Sequence, residues 1–274
     1  MKIEFYKAES SGNDFIILDN TSGTYSRINF SKIFREICER KRAVGADGVL
    51  LLEKDSPADF IMRIFNSDGG EVEMCGNGAR CCAYYHFIKT GSRKMRFTTK
   101  AGIMEASASK SGMVKLGMPP PSGTSLDMLL KIGTDPISVS YINTGVPHAV
   151  IETDRIGSLD VEGIGRTLRH HREFAPEGTN VDFAEVTGPS EVKMRTYERG
   201  VEGETLACGT GAVACAVITA LKGKTSPPVN IKTRGGEILK VHFKMTDSED
   251  LLSRVYDVKL EGRVRVVFKG EMEI

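Results

Sequence analysis

MRIFNSDGGEVEMCGNGARCCA, residues 62–83, and MRTYERGVEGETLACGTGAVACA, residues 194–216, are two versions of one pattern. Each opens on Met-Arg, runs through a turn-rich stretch and places a cysteine directly before Gly-X-Gly. Cys75 and Cys208 lie 133 positions apart. Arg63 precedes the first by 12 positions and Arg195 precedes the second by 13, so one inserted residue separates the copies. An internal repeat of this kind decides architecture before any single motif does. Upstream, RAVGADGVLLLE (42–53) aligns with FAPEGTNVDFAE (174–185), and SSGNDFIILD (10–19) with NTGVPHAVIE (143–152). Downstream, TTKAGIMEAS answers KTRGGEILKV, and GMVKLGMPP answers VYDVKLEG. Two long copies suit a duplicated domain, whereas a solenoid is built from more and shorter units.

Within each copy, short apolar runs bounded by turn residues read as strands: DFIILDN, GVLLLE, DFIMRIFN and MRFTTKAG. Three segments read as helices. FSKIFREICERKR (30–42) is amphipathic, with Ser31 placed as its N-cap. GNGARCCAYYHFIKT and GTGAVACAVITALKG begin at the cysteine turns. The latter carries no charge from Gly209 to Leu221, the mark of a helix buried on all sides. The expected fold is α/β (α+β) with two pseudo-symmetric domains. Each is a curved, mostly antiparallel sheet or barrel wrapped around a central helix, with the active site in the cleft between them. The prolines of GMPPPSGTS (117–125) mark the expected linker. The last strand, RVRVVFKGEMEI, follows the complete second copy and is expected to return to the first domain. The expected boundaries are therefore 1–118 plus 263–274 for the domain with Cys75, and 119–262 for the domain with Cys208.

Composition narrows the function. The chain has 274 residues, 40% of them apolar, enough for a substantial core. Its 37 basic and 36 acidic side chains leave a net charge of +1, which makes no electrostatic case for a nucleic-acid or membrane partner. No apolar run approaches the roughly 18 residues of a membrane span, and the start, MKIEFYKAESSGNDF, lacks the apolar segment of a signal peptide. Six cysteines are too sparse for a disulfide scaffold, so a reduced, cytoplasmic protein is expected.

The first turn of a helix presents unpaired N–H groups and about half a positive charge. A thiolate placed there is stabilised, and its pKa is expected to fall toward the working pH. The same N–H groups seat a carboxylate, and glycines let it approach the backbone. Two such mouths in matched copies suggest that one carboxylate is held with a thiol on each face of its α-carbon. That is the arrangement for inversion by two bases, one removing the α-proton while the other delivers a proton opposite. Cys38, Cys81, Cys82 and Cys215 read instead as small buried hydrophobes. The cysteine spacings do not suit zinc, and CGTGAVAC lacks the Gly-Lys-Ser/Thr ending of a phosphate loop.

Polar residues cluster near both turns. Asn66 and Glu198 occupy equivalent places in the two copies, and Arg199 can pair with a carboxylate while Glu198 holds an ammonium group. Asn13, Asn77 and Asn180 sit beside glycine turns, where asparagine also serves as a plain turn residue. His148 lies in an apolar strand context, as either a core histidine or a support for the site.

Taken together, NSDGGEVEMCGNGARCCA, NTGVPHAV, GTNVDF, YERGVEGETLACGTGA and GNDF closely resemble the diaminopimelate epimerase family, from Asn13 to the C-terminal strand. The resemblance implies a cofactor-free epimerase, independent of PLP and metal, that interconverts LL- and meso-2,6-diaminopimelate for lysine and peptidoglycan synthesis. It implies a homodimer whose domains close on substrate. By position, Cys75 and Cys208 resemble the catalytic pair, with Cys208 taking the α-proton of the LL isomer and Cys75 donating one. Gly76, Asn77, Gly209 and Thr210 would seat the reacting carboxylate. Asn13, Asn66, Asn180, Glu198 and Arg199 would hold the amino groups and the distal carboxylate. His148 and Glu198 match positions important for activity without being the bases. Val146 and Gly48 depart from the pattern, since some members carry Asn and Gln there. Three other readings share some of these features. A proline or hydroxyproline epimerase typically shows His where Asn77 stands. A thiol hydrolase or transferase would need one essential cysteine with His148 as base. A carboxylate-binding module would need neither thiol.

Overall fold

The computed structural model describes residues 2–25, 30–133, 135–248 and 254–273. The chain divides into two compact units, Met1–Leu116 with Gly262–Ile274, and Gly117–Glu261. The first unit opens with β1 (Lys2–Ser10), β2 (Asn13–Asn20), α1 (Phe30–Ile37), β3 (Gly48–Glu53), β4 (Phe60–Asn66) and β5 (Glu71–Val72). It continues with α2 (Gly76–Thr90), β6 (Lys94–Thr99), β7 (Gly102–Ala108) and β8 (Met113–Gly117). The second contains β9 (Ser122–Ile132), β10 (Asp135–Asn143), β11 (Pro147–Glu152), α3 (Val161–Arg169), β12 (Asn180–Gly188) and β13 (Glu191–Glu198). It closes with β14 (Gly203–Thr205), α4 (Gly209–Leu221), β15 (Val229–Lys232), β16 (Ile238–Met245) and β17 (Val255–Arg263). The chain ends with β18 (Arg265–Glu273), which runs antiparallel to β1.

The two units repeat one order of strand pairing. In the first, β1 is antiparallel to β2, β2 parallel to β3, β3 antiparallel to β4, β4 parallel to β6 and β6 antiparallel to β7. In the second, the same sequence runs through β10, β11, β12, β13, β15 and β16. The register is matched as well. Phe15 faces Gly48 and Leu50 faces Ile64, just as His148 faces Asn180 and Asp182 faces Thr196. Each unit wraps its strands around one helix. α2 packs on β1, β2, β3, β4, β7 and β18, and α4 on β10, β11, β12, β13, β15 and β16.

Burial explains why these two helices are apolar where they are. In α4 every residue from Gly211 to Ala220 is buried, which matches its uncharged sequence. Each large aliphatic side chain so buried contributes about 1.5–3 kcal/mol. In α2, Ala79, Cys81, Cys82 and Ala83 are fully buried. α2 stops at Gly91, whose φ of 77° is the left-handed conformation that favours glycine, and Gly91 N–H donates to the Phe87 carbonyl. Each unit also braces the hairpin before its cysteine with a two-pronged ion pair. Arg63 Nε and Nη2 donate to Glu71 at 2.8 and 3.1 Å, and Arg195 Nε and Nη2 donate to Glu204 at 2.6 and 2.7 Å.

Three local differences from the sequence reading have physical causes. The first helix begins at Phe30, ahead of the cap expected at Ser31, and ends at Ile37 rather than at residue 42. The side chain of Ser31 lies outside the described residues. Beyond Ile37 the backbone folds back, with Gly45 N–H donating to Ile37 and Ala46 N–H to Cys38. α3 was not anticipated, because two glycines interrupt VEGIGRTLR. Gly165 is there for packing, since a Cβ at that position would lie 2.5 Å from Tyr197 Cβ. Asp160 caps α3 by accepting from Gly163 N–H. Of the expected linker at 117–125, only residues 118–121 lie outside strands. Among the described residues no helix is long and apolar enough to cross a membrane.

Candidate active site

Cys75 and Cys208 are the N-cap residues of α2 and α4, with near-identical extended backbones at φ −143°, ψ 121° and φ −126°, ψ 117°. Their carbonyls accept the first helical bonds, from Ala79 N–H at 2.8 Å and Ala212 N–H at 2.9 Å. The N–H groups of the following Gly-X-Gly turns therefore start both helices in the position that favours an anion.

The two mouths differ in their surroundings. Cys208 is buried, and its Sγ accepts from Gly211 N–H at 3.4 Å and lies 3.4 Å from Thr210 Oγ1. Cys75 is half-buried, and its side chain makes no cap hydrogen bond to α2. The expectation that a helix start lowers thiol pKa is reversed at Cys208. Burial pushes this thiol well above its ordinary value, and the nearby negative charges of Glu198 and Asp182 add to the effect. Hydrogen bonds from Thr210 and Gly211 oppose it without prevailing. Glu198 is raised too, chiefly by burial, with hydrogen bonding to the Cys208 thiol among the opposing effects. This mouth therefore sets side by side a thiol and a carboxyl that are both pushed above their ordinary pKa values.

In the first unit a polar chain leads away from α2. The fully buried Arg80 donates from Nη2 to Asn77 Oδ1 at 2.6 Å and to Ser11 Oγ at 2.9 Å. Asn77 Nδ2 donates to Asn13 Oδ1 at 2.5 Å, and Asn13 Nδ2 donates to Asp47 Oδ2 at 3.2 Å. Asn13 and Asn77 are thus brought together and oriented. Asn66 sits exposed at the end of β4, where its backbone closes a turn with Gly69 and Gly70. A Cβ at Gly48 would lie 2.5 Å from the Phe65 carbonyl oxygen, so no side chain fits there without moving β4.

The second unit gathers Asn180, Glu198, Arg199, Cys208 and Thr210. Asn180 Oδ1 accepts from Arg199 N–H at 2.9 Å, and its Nδ2 donates to the Pro147 carbonyl at 3.0 Å. The Arg199 guanidinium reaches the Glu177 carbonyl at 3.4 Å. Thr144 Oγ1 donates to the Thr210 carbonyl at 3.0 Å and so ties the mouth of α4 to the loop before β11. Val146 is half-buried in that loop, its carbonyl accepting from Thr144 N–H. His148, fully buried, pairs through Nδ1 with Asp182 Oδ2 at 2.6 Å, and Thr196 Oγ1 donates to Asp182 Oδ1 at 2.7 Å. Thr144, Asp182 and Thr196 were not singled out from the sequence. A lone acid in the otherwise buried run NVDFA was the available signal for Asp182.

Residues 5–122 and 140–256 match the family model for diaminopimelate epimerase. Diaminopimelate epimerase of Aquifex aeolicus (strain VF5) is 41% identical over 281 residues, covering 98% of each chain. That of Hydrogenobaculum sp. (strain Y04AAS1) is 42% identical over 276 residues, covering 96% of each. Among solved structures, a Bacillus anthracis phenazine biosynthesis protein of the PhzF family matches with a TM-score of 0.72 at 15% identity, covering all of both chains. A probable proline racemase from Agrobacterium radiobacter K84 matches with a TM-score of 0.70 at 16% identity, covering 99% of this chain and 92% of the other. Identities this low establish a shared fold only.

Proposed function

This chain belongs to the diaminopimelate epimerase family, and we propose that it interconverts LL- and meso-2,6-diaminopimelate by proton transfer through Cys75 and Cys208, without PLP or metal. The observation that carries the reading is the matched placement of the two cysteines as N-caps of equivalent helices in a duplicated pairing order. A thiolate removes the α-proton from one face, and the other thiol protonates the opposite face. With LL substrate, Cys208 is the base and Cys75 the acid, and the roles exchange for the reverse reaction. The N–H groups at Gly76, Asn77, Gly209 and Thr210 hold the carboxylate and stabilise the charge that builds on it in the transition state. Asn13, Asn66, Asn180, Glu198 and Arg199 hold the amino groups and the distal carboxylate. His148 and Glu198 support the thiol chemistry without acting as the bases at carbon. The raised Glu198 carboxyl hydrogen-bonds to the Cys208 thiol, which suits it to take up that thiol's proton when substrate binds. The same reading takes the two units as the two epimerase domains of a cytoplasmic homodimer serving lysine and peptidoglycan precursor synthesis.

The test is incubation of LL-diaminopimelate with reduced protein in D₂O containing a chelator and no PLP. Proton NMR and chiral chromatography follow the product, with L-proline and trans-4-hydroxy-L-proline in parallel. The proposal expects meso product with deuterium at one α-carbon and no exchange of either proline. Exchange of a proline without diaminopimelate turnover would reassign the substrate, and no exchange of any of the three would remove the epimerase reading.

A further inference from the structure

The matched register of the two units exposes three neighbouring differences that the duplication does not explain. In the first unit the side chains beneath the start of α2 are apolar. A Cβ at Gly78 would meet Leu50 Cδ2 at 2.8 Å and Ile64 Cδ1 at 3.2 Å, and Phe15 lies two positions along the neighbouring strand from the partner of Leu50. By register, Phe15, Leu50 and Ile64 correspond to His148, Asp182 and Thr196. In the second unit, then, the same three places beneath α4 hold a polar trio. Asp182 is wholly buried, with Oδ2 2.6 Å from His148 Nδ1 and Oδ1 accepting from Thr196 Oγ1 at 2.7 Å. It also presses on the helix start, since a Cβ at Gly211 would lie 2.4 Å from Asp182 Oδ1. The fold in this same chain is content with Phe, Leu and Ile at these positions, so the polar trio is not a requirement of the architecture. Burying a carboxylate and an imidazole is costly unless they are paired.

We propose that Asp182 is a positioning residue for the chemistry at Cys208, holding the hydrogen of His148 on Nδ1 and leaving Nε2 as the bare ring nitrogen. A carboxylate offers only acceptors, so the nitrogen facing it must carry the hydrogen. Nε2 of His148 is buried and has no hydrogen-bond partner among the described residues, an arrangement that calls for a reason. Asp182 borders the thiol at the start of α4, because Gly211, whose Cβ would lie 2.4 Å from Asp182 Oδ1, donates its N–H to Cys208 Sγ at 3.4 Å. Asp182 thus sits between the imidazole and the start of α4 that holds the thiol, and it fixes the orientation and tautomer of the imidazole as the aspartate of a catalytic triad does. The first unit has no counterpart, so only the Cys208 side of the reaction is tuned this way. The inference rests on the epimerase reading for what the thiol does, but not for where the hydrogen sits.

Three experiments test it. Nitrogen-15 NMR of histidine-labelled protein, with His148 assigned by His148→Gln, is expected to show Nδ1 protonated in the wild type. In Asp182→Asn the amide donates to Nδ1 and the hydrogen moves to Nε2. The same variant is expected to lose about 10- to 100-fold in kcat, the range known for partners that orient functional histidines at metal sites, with KM changed less than about threefold. A wild-type His148 with a bare Nδ1, or an Asp182→Asn variant with undiminished kcat, would overturn the proposal. The triple variant His148→Phe, Asp182→Leu, Thr196→Ile copies the first unit's trio into the second. It is expected to fold with an unchanged or higher melting temperature and to lose turnover. A triple variant that fails to fold would make the trio structural, and one that turns over normally would make it idle; either result overturns the proposal. Should wild-type protein fail to epimerise diaminopimelate, the function proposal falls while the tautomer result stands or falls separately.

Discussion

The glycines at the first and third positions of the Gly-X-Gly turns do not have equivalent surroundings, and the difference is measurable. A Cβ at Gly76 would meet nothing within 4 Å, whereas one at Gly211 would lie 2.4 Å from a buried carboxylate oxygen and 3.3 Å from Cys208 Cβ. Gly211→Ala is therefore expected to lose about 1–3 kcal/mol through overpacking, and Gly76→Ala to stay within about 0.5 kcal/mol of wild type. Urea denaturation of the two variants decides it, and equal losses would contradict the asymmetry. At this scale the placement of both thiols at helix starts is readable from the sequence, because a repeated Cys-Gly-X-Gly is a local pattern with a local cause. The environment of Cys208 is not. Its raised pKa comes from burial and from Glu198 and Asp182, residues 10 and 26 positions upstream that only strand register brings near. The N–H groups of a helix start are legible in sequence, and the acids packed behind them are not.

Elements carry their own signals and their own blind spots. The Arg–Glu brace between β4 and β5 recurs between β13 and β14, so each cysteine is approached through a hairpin fixed by charge. Arg63, with Lys100 beside it, holds the Glu71 carboxyl at about 2, below its ordinary 4.5. A depressed carboxyl contributes stability that is complete above its unfolded pKa and lost as pH falls through the folded one. The wild type should thus lose stability between about pH 4.5 and 2 more steeply than Glu71→Gln, whose side chain does not titrate. Urea midpoints across that range with equal slopes would remove Glu71 as a source of acid sensitivity. Strands such as GVLLLE and the uncharged α4 were plain in the sequence, because burial on all sides demands unbroken apolar runs. α3 was hidden by Gly165, whose absent side chain makes room for Tyr197 in a way that only packing reveals. The early end of α1 was hidden because its amphipathic pattern continues past Ile37 into residues whose backbone bonds turn back.

Across the whole molecule, one unit is assembled from both ends of the chain. β18 supplies the outer partner of β1, and the rings of Phe5 and Phe268 meet edge to face at 5.9 Å. A chain ending at Val264 strips β1 of that partner and uncovers Ile3 and Phe5, both buried in the intact protein. Limited proteolysis of this truncated chain is expected to cut within residues 2–116 well before 117–261; cleavage of both regions at the full-length rate would contradict this. The duplicated pairing order was visible as a weak but ordered repeat, since each copy must close the same strands around one helix. If the duplication provides two thiols for one inversion, the assay of Cys75→Ala and Cys208→Ala with LL- and meso-diaminopimelate in D₂O shows it most directly. Each single variant is predicted to lose epimerisation by about a thousandfold or more, from the loss of one of two obligatory proton carriers. Normal meso formation by either variant would contradict the two-thiol account.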